Sequence, residues 1–204
     1  LRYATICSNA GFMGNPVVVG IYGSQGLLYA SVYLIPLRIF MWSAGLSCFT
    51  VASPKDIVKK LVHHPCIIAV VIGMALMPFP DVVPSFLLQT MQSCSKCVLP
   101  VSMIVIGSIL SEADIRKMLK GSTLFYCVVR LLGIPAVTMV VCRLLGMGAL
   151  VTGVCTILAG MPAGSTTAIL AEKYDGDAKY ASECVFLSTV LSLFTMPLLY
   201  MILA

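Results

Sequence analysis

The sequence predicts an all-α integral membrane protein: an inverted five-plus-five helix repeat with crossed broken helices, seven spans of which fall in these 204 residues. Three observations predict it: the composition, the placement of charge between apolar stretches, and a motif that occurs twice. Hydrophobic residues make up 59% of the chain and charged ones 10%, and the mean hydropathy is +1.02. A soluble domain is roughly one quarter charged; its core cannot enclose this much apolar surface, whereas a bilayer can. The same arithmetic excludes a disordered chain, a nucleic-acid module and a secreted disulfide scaffold.

Stretches able to cross a hydrocarbon layer of about 30 Å, which takes about 20 helical residues, run over 1–22, 27–51, 63–78, 83–110, 122–145, 149–173 and 178–204. Segments 53–60 and 112–120 are charged and read as surface helices, whereas 23–26, 78–84 and 146–148 are tight turns. The linkers after spans two, four and six share one face and carry Lys55, Lys59, Lys60, Arg116, Lys117, Lys120, Lys173 and Lys179; the other face has Arg143. Positive charge marks the cytoplasmic side. The expectation is a multi-pass protein of the cytoplasmic membrane with its C-terminus outside.

The motif Tyr22-Gly23-Ser24-Gln25-Gly26, followed by Tyr29-Ala30-Ser31, recurs as Tyr174-Asp175-Gly176-Asp177, followed by Tyr180-Ala181-Ser182. Each copy joins an interrupted span to a long apolar one. Spans one and two therefore correspond to six and seven, and a shift of five, being odd, inverts one copy in the membrane, as in secondary transporters. Symmetry predicts three further spans before Leu1, ten in all, and an opening of Leu1-Arg2-Tyr3 reads as part of something longer.

Within lipid, an unpaired backbone group costs several kcal/mol, so a helix break persists only where protein or a cavity satisfies it. Gly14-Asn15-Pro16 in span one and Pro162-Ala163-Gly164-Ser165 in span six are the expected breaks, both near the midplane. Antiparallel spans can cross there, and the half-helices beyond Pro16 and Gly164 then aim their free amides and positive dipole ends at one point, which suits a carboxylate. Asn9, Asn15, Ser165, Thr166 and Thr167 add neutral hydrogen-bonding groups. Pro36, Pro65, Pro100, Pro135 and Pro197 read as simple kinks.

The segments Ser8-Asn9-Ala10-Gly11-Phe12-Met13-Gly14-Asn15-Pro16 and 161–174, which opens Met161-Pro162-Ala163-Gly164-Ser165, resemble the auxin efflux carrier family, as do Ser188-Thr189-Val190-Leu191-Ser192-Leu193 with Pro197, and 129–135. The nearest likeness is to bacterial malate or malonate permeases. The resemblance implies a mobile transport domain built from 1–52, the last two spans of the first repeat, and 122–204, the last three of the second. Residues 53–121 would supply cytoplasmic linkers and two scaffold spans. It also implies elevator-type secondary transport of a small organic anion, a mono- or dicarboxylate that is auxin-like or malate/malonate-like, with Asn9 touching the substrate. The second break carries Gly164-Ser165 where many members place Asn after the proline.

Ionisable groups inside a span face protein or water. Arg130 in span five is a candidate for holding carbonyls freed at the crossover or for attracting the anion. Lys96 in span four is an anion attractor or a coupling site. Arg38 has Trp42 one turn away and is expected to rest on its ring. Glu183 is a candidate coupling carboxylate, with an interfacial pair to Lys179 four residues earlier the favoured alternative. His63 and His64 read as an interface feature. Nine cysteines, odd in number and scattered, read as packing, so no metal and no cofactor are expected. A proton or sodium ion could drive transport, and a homodimer is compatible with it. Two alternatives to a transporter are a non-transporting membrane sensor on the same fold and, less well supported, an intramembrane enzyme, for which no nucleophile motif accompanies the histidines.

Overall fold

A computed structural model describes residues 1–42, 44–45, 48–49, 65–76, 78–79, 83–111 and 120–203. The charged segments 53–60 and 112–119, together with His63 and His64, lie outside the described residues. Among the described residues the chain is helical throughout, apart from turns and one isolated bridge.

Helix α1 (Arg2–Ile6) is short and ends where Cys7 turns extended, at φ −89 and ψ 99. A wide π-turn (Ala10–Gly14) then runs without interruption into α2 (Asn15–Trp42). Helices α3 (Pro65–Leu76) and α4 (Ser85–Ser111) follow. Next come α5 (Gly121–Val128), a second π-turn (Val129–Gly133) and α6 (Ile134–Leu144), stacked as one rod. Helix α7 (Ala149–Ala159), α8 (Thr166–Lys173) and α9 (Ala178–Leu203) complete the chain.

The first break does not fall at Gly14-Asn15-Pro16. Asn15 is helical, at φ −57 and ψ −50, and the chain is interrupted instead at Cys7-Ser8-Asn9. A proline inside a helix clashes with the carbonyl four residues back and removes one donor; a π-turn relieves both by widening the preceding turn. The amides of Met13 and Gly14 both reach the Asn9 carbonyl, at 3.0 and 3.2 Å, and the Asn15 amide bonds Ala10. Pro135 is absorbed in the same way, two residues after the second π-turn, where the Ile134 amide bonds Val129.

Helix α2 turns back on itself at Gly23, whose φ of 64 and ψ of −152 lie in a region open essentially to glycine alone. The two arms lie side by side: Val18 from the first and Ala30 and Leu34 from the second meet Val154, Ile157 and Leu158 of α7 in one core. Among the described residues, three stretches are long and apolar enough to cross a membrane: Ala10–Met41, which contains this reversal, Gly121–Leu144 and Ala178–Leu203; α7 is a shorter apolar helix.

Lipid tails are as apolar as leucine, so helices in a bilayer associate by close packing rather than by expelling water. Gly14 is such a contact, since a β-carbon there would lie 2.6 Å from Leu158. A second core joins Ala4, Tyr126, Cys127, Leu131, Ala163, Cys184 and Val185, drawing α1, α5, the second break and α9 together. Helix α4 packs on α9, and α3 touches α2.

A cavity at the crossing of two interrupted helices

The two interruptions meet. Ser8 and Ala163 form an antiparallel bridge, in which the Asn9 amide donates to the Pro162 carbonyl at 2.8 Å and the Gly164 amide to the Cys7 carbonyl at 3.0 Å. The two bonds are reciprocal about a local two-fold relating Cys7-Ser8-Asn9 to Pro162-Ala163-Gly164.

Breaking a helix in a water-free medium leaves carbonyls and amides that must find partners, and neighbouring spans supply them. The Tyr126 hydroxyl donates to the Ala4 carbonyl at 2.9 Å. Arg130 Nη1 donates to the Thr5 carbonyl at 3.0 Å. The Ala163 amide donates to Ser188 Oγ at 3.1 Å. Sequence reasoning singled out Arg130, named Ser188 only within a family motif and without a role, and missed Tyr126. Tyr126 stands four residues before Arg130, hence on the same helical face, and that spacing is the signal that could have found it.

Beside the crossing lies a cavity of about 320 Å³, lined by Asn9, Asn15, Arg38, Ser165 and Thr166 together with apolar neighbours. Its volume suits a small organic molecule. Asn9 and Ser165 are the N-cap residues of the two half-helices that leave the breaks, and neither side chain caps its helix. Both residues are buried, 3% and 1% exposed. Asn9 Nδ2, Asn15 Oδ1, Ser165 Oγ and Thr167 Oγ1 have no hydrogen-bond partner among the described residues. Such orphaned groups cost about 1–3 kcal/mol each. Among the described residues the lining contains no Asp or Glu, and the N-terminal turns at Gly11 and Gly164 present helix dipoles of positive sign.

Of the residues the sequence marked, Asn9, Asn15, Gly164, Ser165 and Thr166 come together at this cavity, and Pro162 supplies a carbonyl of the bridge. Gly14 and Pro16 stand back from it within the helix, Gly14 against Leu158. Arg38 is on the cavity wall, one turn from Leu34 and Met41, which line the same side; the Trp42 ring expected beneath it lies outside the described residues. Lys96 is exposed on α4 and does not line the cavity. Glu183 is 2% exposed and lies 3.7 Å from Lys120 Nζ. The expected pair with Lys179 is therefore replaced: α9 turns Glu183 inward toward the start of α5, while Lys179 stays exposed.

Residues 48–200 match the family model described as membrane transport protein. An uncharacterized transporter of Methanothermobacter thermautotrophicus is 30% identical over 202 residues, covering 97% of this chain. One of Methanocaldococcus jannaschii is 24% identical over 207 residues, again covering 97%. The chain spans 66% of the length of both curated relatives.

Proposed function

The chain belongs to the auxin efflux carrier family of membrane transport proteins, and from that premise we propose that it carries a small organic anion, a mono- or dicarboxylate, bound in the cavity at the crossing. The single observation that carries this is the cavity's chemistry: two helix N-termini, a guanidinium, unsatisfied amide and hydroxyl groups, and no acidic side chain among the described residues. A carboxylate presents only acceptors. The Asn9 amide group, the Ser165 hydroxyl and the first amides of the two half-helices are donors, and positive dipole ends stabilise the charge. Gly164 keeps the second chain slim where it passes the Cys7 and Ser8 carbonyls.

Transport in this proposal is secondary and elevator-like. The crossing, with α1, α2 and α5 to α9, moves as one body past α3 and α4. The packing of α7 against α2 and α6, and of α8 against α9, holds the first group together, while α3 meets it at α2 and α4 at α9. The local two-fold at Ser8 and Ala163 supports an inverted repeat, of which the seven- and ten-span arrangement is the proposed extension; the uneven placement of Lys and Arg supports a C-terminus outside the cytoplasmic membrane. Coupling to a proton or sodium ion is part of the same proposal, with the Glu183–Lys120 pair as the buried charge to examine. Uptake of labelled small carboxylates into vesicles containing the intact protein tests it. Pro162→Ala should abolish flux and Asn9→Ala should lower it several-fold at subsaturating substrate, both leaving insertion intact, and wild-type flux in both variants would remove the crossing as the site.

A further inference from the structure

We infer that Arg38 is a specificity-determining residue that reads a second negative group on the transported molecule, so that the cavity selects a dianion over a monoanion of the same size. The inference rests on the crossing being the binding site. Arg38 stands fifteen residues after the Gly23 reversal and Asn9 fourteen before it, so both lie about 21 Å along their arms from the turn. The structure brings them to one level: Arg38 Nη2 is 3.7 Å from where a β-carbon on Gly11 would sit, beside the first turn after the break. Leu34, Leu37 and Met41 share the wall with it at helical spacing, and Arg38, exposed on its arm, reaches across the open side of the cavity with its guanidinium.

Charge decides the preference. The two half-helices contribute about half a positive charge each, and the guanidinium a whole one, about two in total; among the described residues no acidic side chain lines the space. A monocarboxylate satisfying the crossing would leave the guanidinium without a counter-charge. A second carboxylate supplies it, and arginine is the side chain that binds one through two parallel hydrogen bonds.

The test uses the purified intact protein and two ligands of equal length, succinate and its monoamide succinamate, with binding read by calorimetry. Wild type should bind succinate at least about tenfold more tightly, since a charge-assisted hydrogen bond is lost in the monoamide. Arg38→Gln should erase that ratio by weakening succinate alone, and Arg38→Lys should retain part of it. Asn9→Ala should weaken both ligands together. A wild-type ratio near one, no binding of either ligand, or an unchanged ratio in both Arg38 variants overturns the inference. If Asn9→Ala leaves both affinities intact, the binding site itself is misplaced, a separate failure.

Discussion

Replacing Asn9 by Asp should separate binding from folding, because the two rank it on opposite sides of truncation to alanine. The substitution keeps shape and size and adds one negative charge at a residue only 3% exposed. Asn9 occupies the N-cap of the helix that begins at Ala10, and its side chain makes no capping bond. Aspartate is among the best N-cap residues and is favoured by the dipole, which offsets part of the cost of burying its charge beside the cavity, so the fold should suffer no more than from truncation to alanine. Binding should suffer. A bound carboxylate contacting this residue would lie about 4 Å from the new charge; at an effective dielectric of about 20 the repulsion is about 4 kcal/mol, about a thousandfold in Kd. The neutral truncation Asn9→Ala removes only a hydrogen bond, about 1 kcal/mol. Calorimetry with succinate at neutral pH, alongside thermal unfolding of each variant, should rank affinity as wild type above N9A above N9D, with the unfolding temperature of N9D no lower than that of N9A. Should N9D bind within about threefold of wild type, negative cargo does not sit against Asn9 and the crossing site is refuted.

Tyr126→Phe keeps the ring packed in the core of α1, α5 and α9 but orphans the Ala4 carbonyl; it should cost about 1–2 kcal/mol and lower the unfolding temperature by about 2–6 °C, read by a melt in detergent. Gly23→Ala forces a β-carbon into the reversal of α2 and should destabilise by about 1–3 kcal/mol, whereas Gly20→Ala, in open space within the same arm, should be neutral or stabilising; equal effects would refute the reversal. Single cysteines in a cysteine-free background should be labelled from the cytoplasmic side at Lys59 and from outside at Met147, and the opposite pattern overturns the orientation.

How much of this was legible beforehand depends on which force sets each feature. Composition announces helices in a bilayer, because lipid leaves the backbone few alternatives. The second break was legible because Pro162-Ala163-Gly164-Ser165 combines a missing donor with poor helix formers. The first was misplaced for the converse reason. Pro16 carries the breaker's signature, yet a π-turn absorbs it, while the actual interruption at Cys7-Ser8-Asn9 contains neither glycine nor proline and is held by bonds from residues more than a hundred positions away. The same preference for tertiary over local partners turns Glu183 to Lys120 rather than to the residue four before it, and sets Arg38 beside the crossing.

A stricter backbone accounting would have narrowed the search. A break deep in hydrocarbon releases several carbonyls and amides at once, and only side chains at matching depth on adjoining spans can meet them. The rod of α5 and the second π-turn offers Tyr126 and Arg130 on one face; α9 offers Ser188 and Ser192 four residues apart, both buried. In the structure three of these four answer groups freed by the breaks, while the Ser192 hydroxyl bonds within its own helix, to Thr189. Asn9 and Ser165 behave oppositely: they stand at the helix starts where a polar side chain would ordinarily cap, and they leave that role unused. Polar groups that repair the backbone are committed to it. Those that decline an available backbone bond, and are buried against a cavity with no acidic group among the described residues, are the ones that the proposal assigns to the ligand.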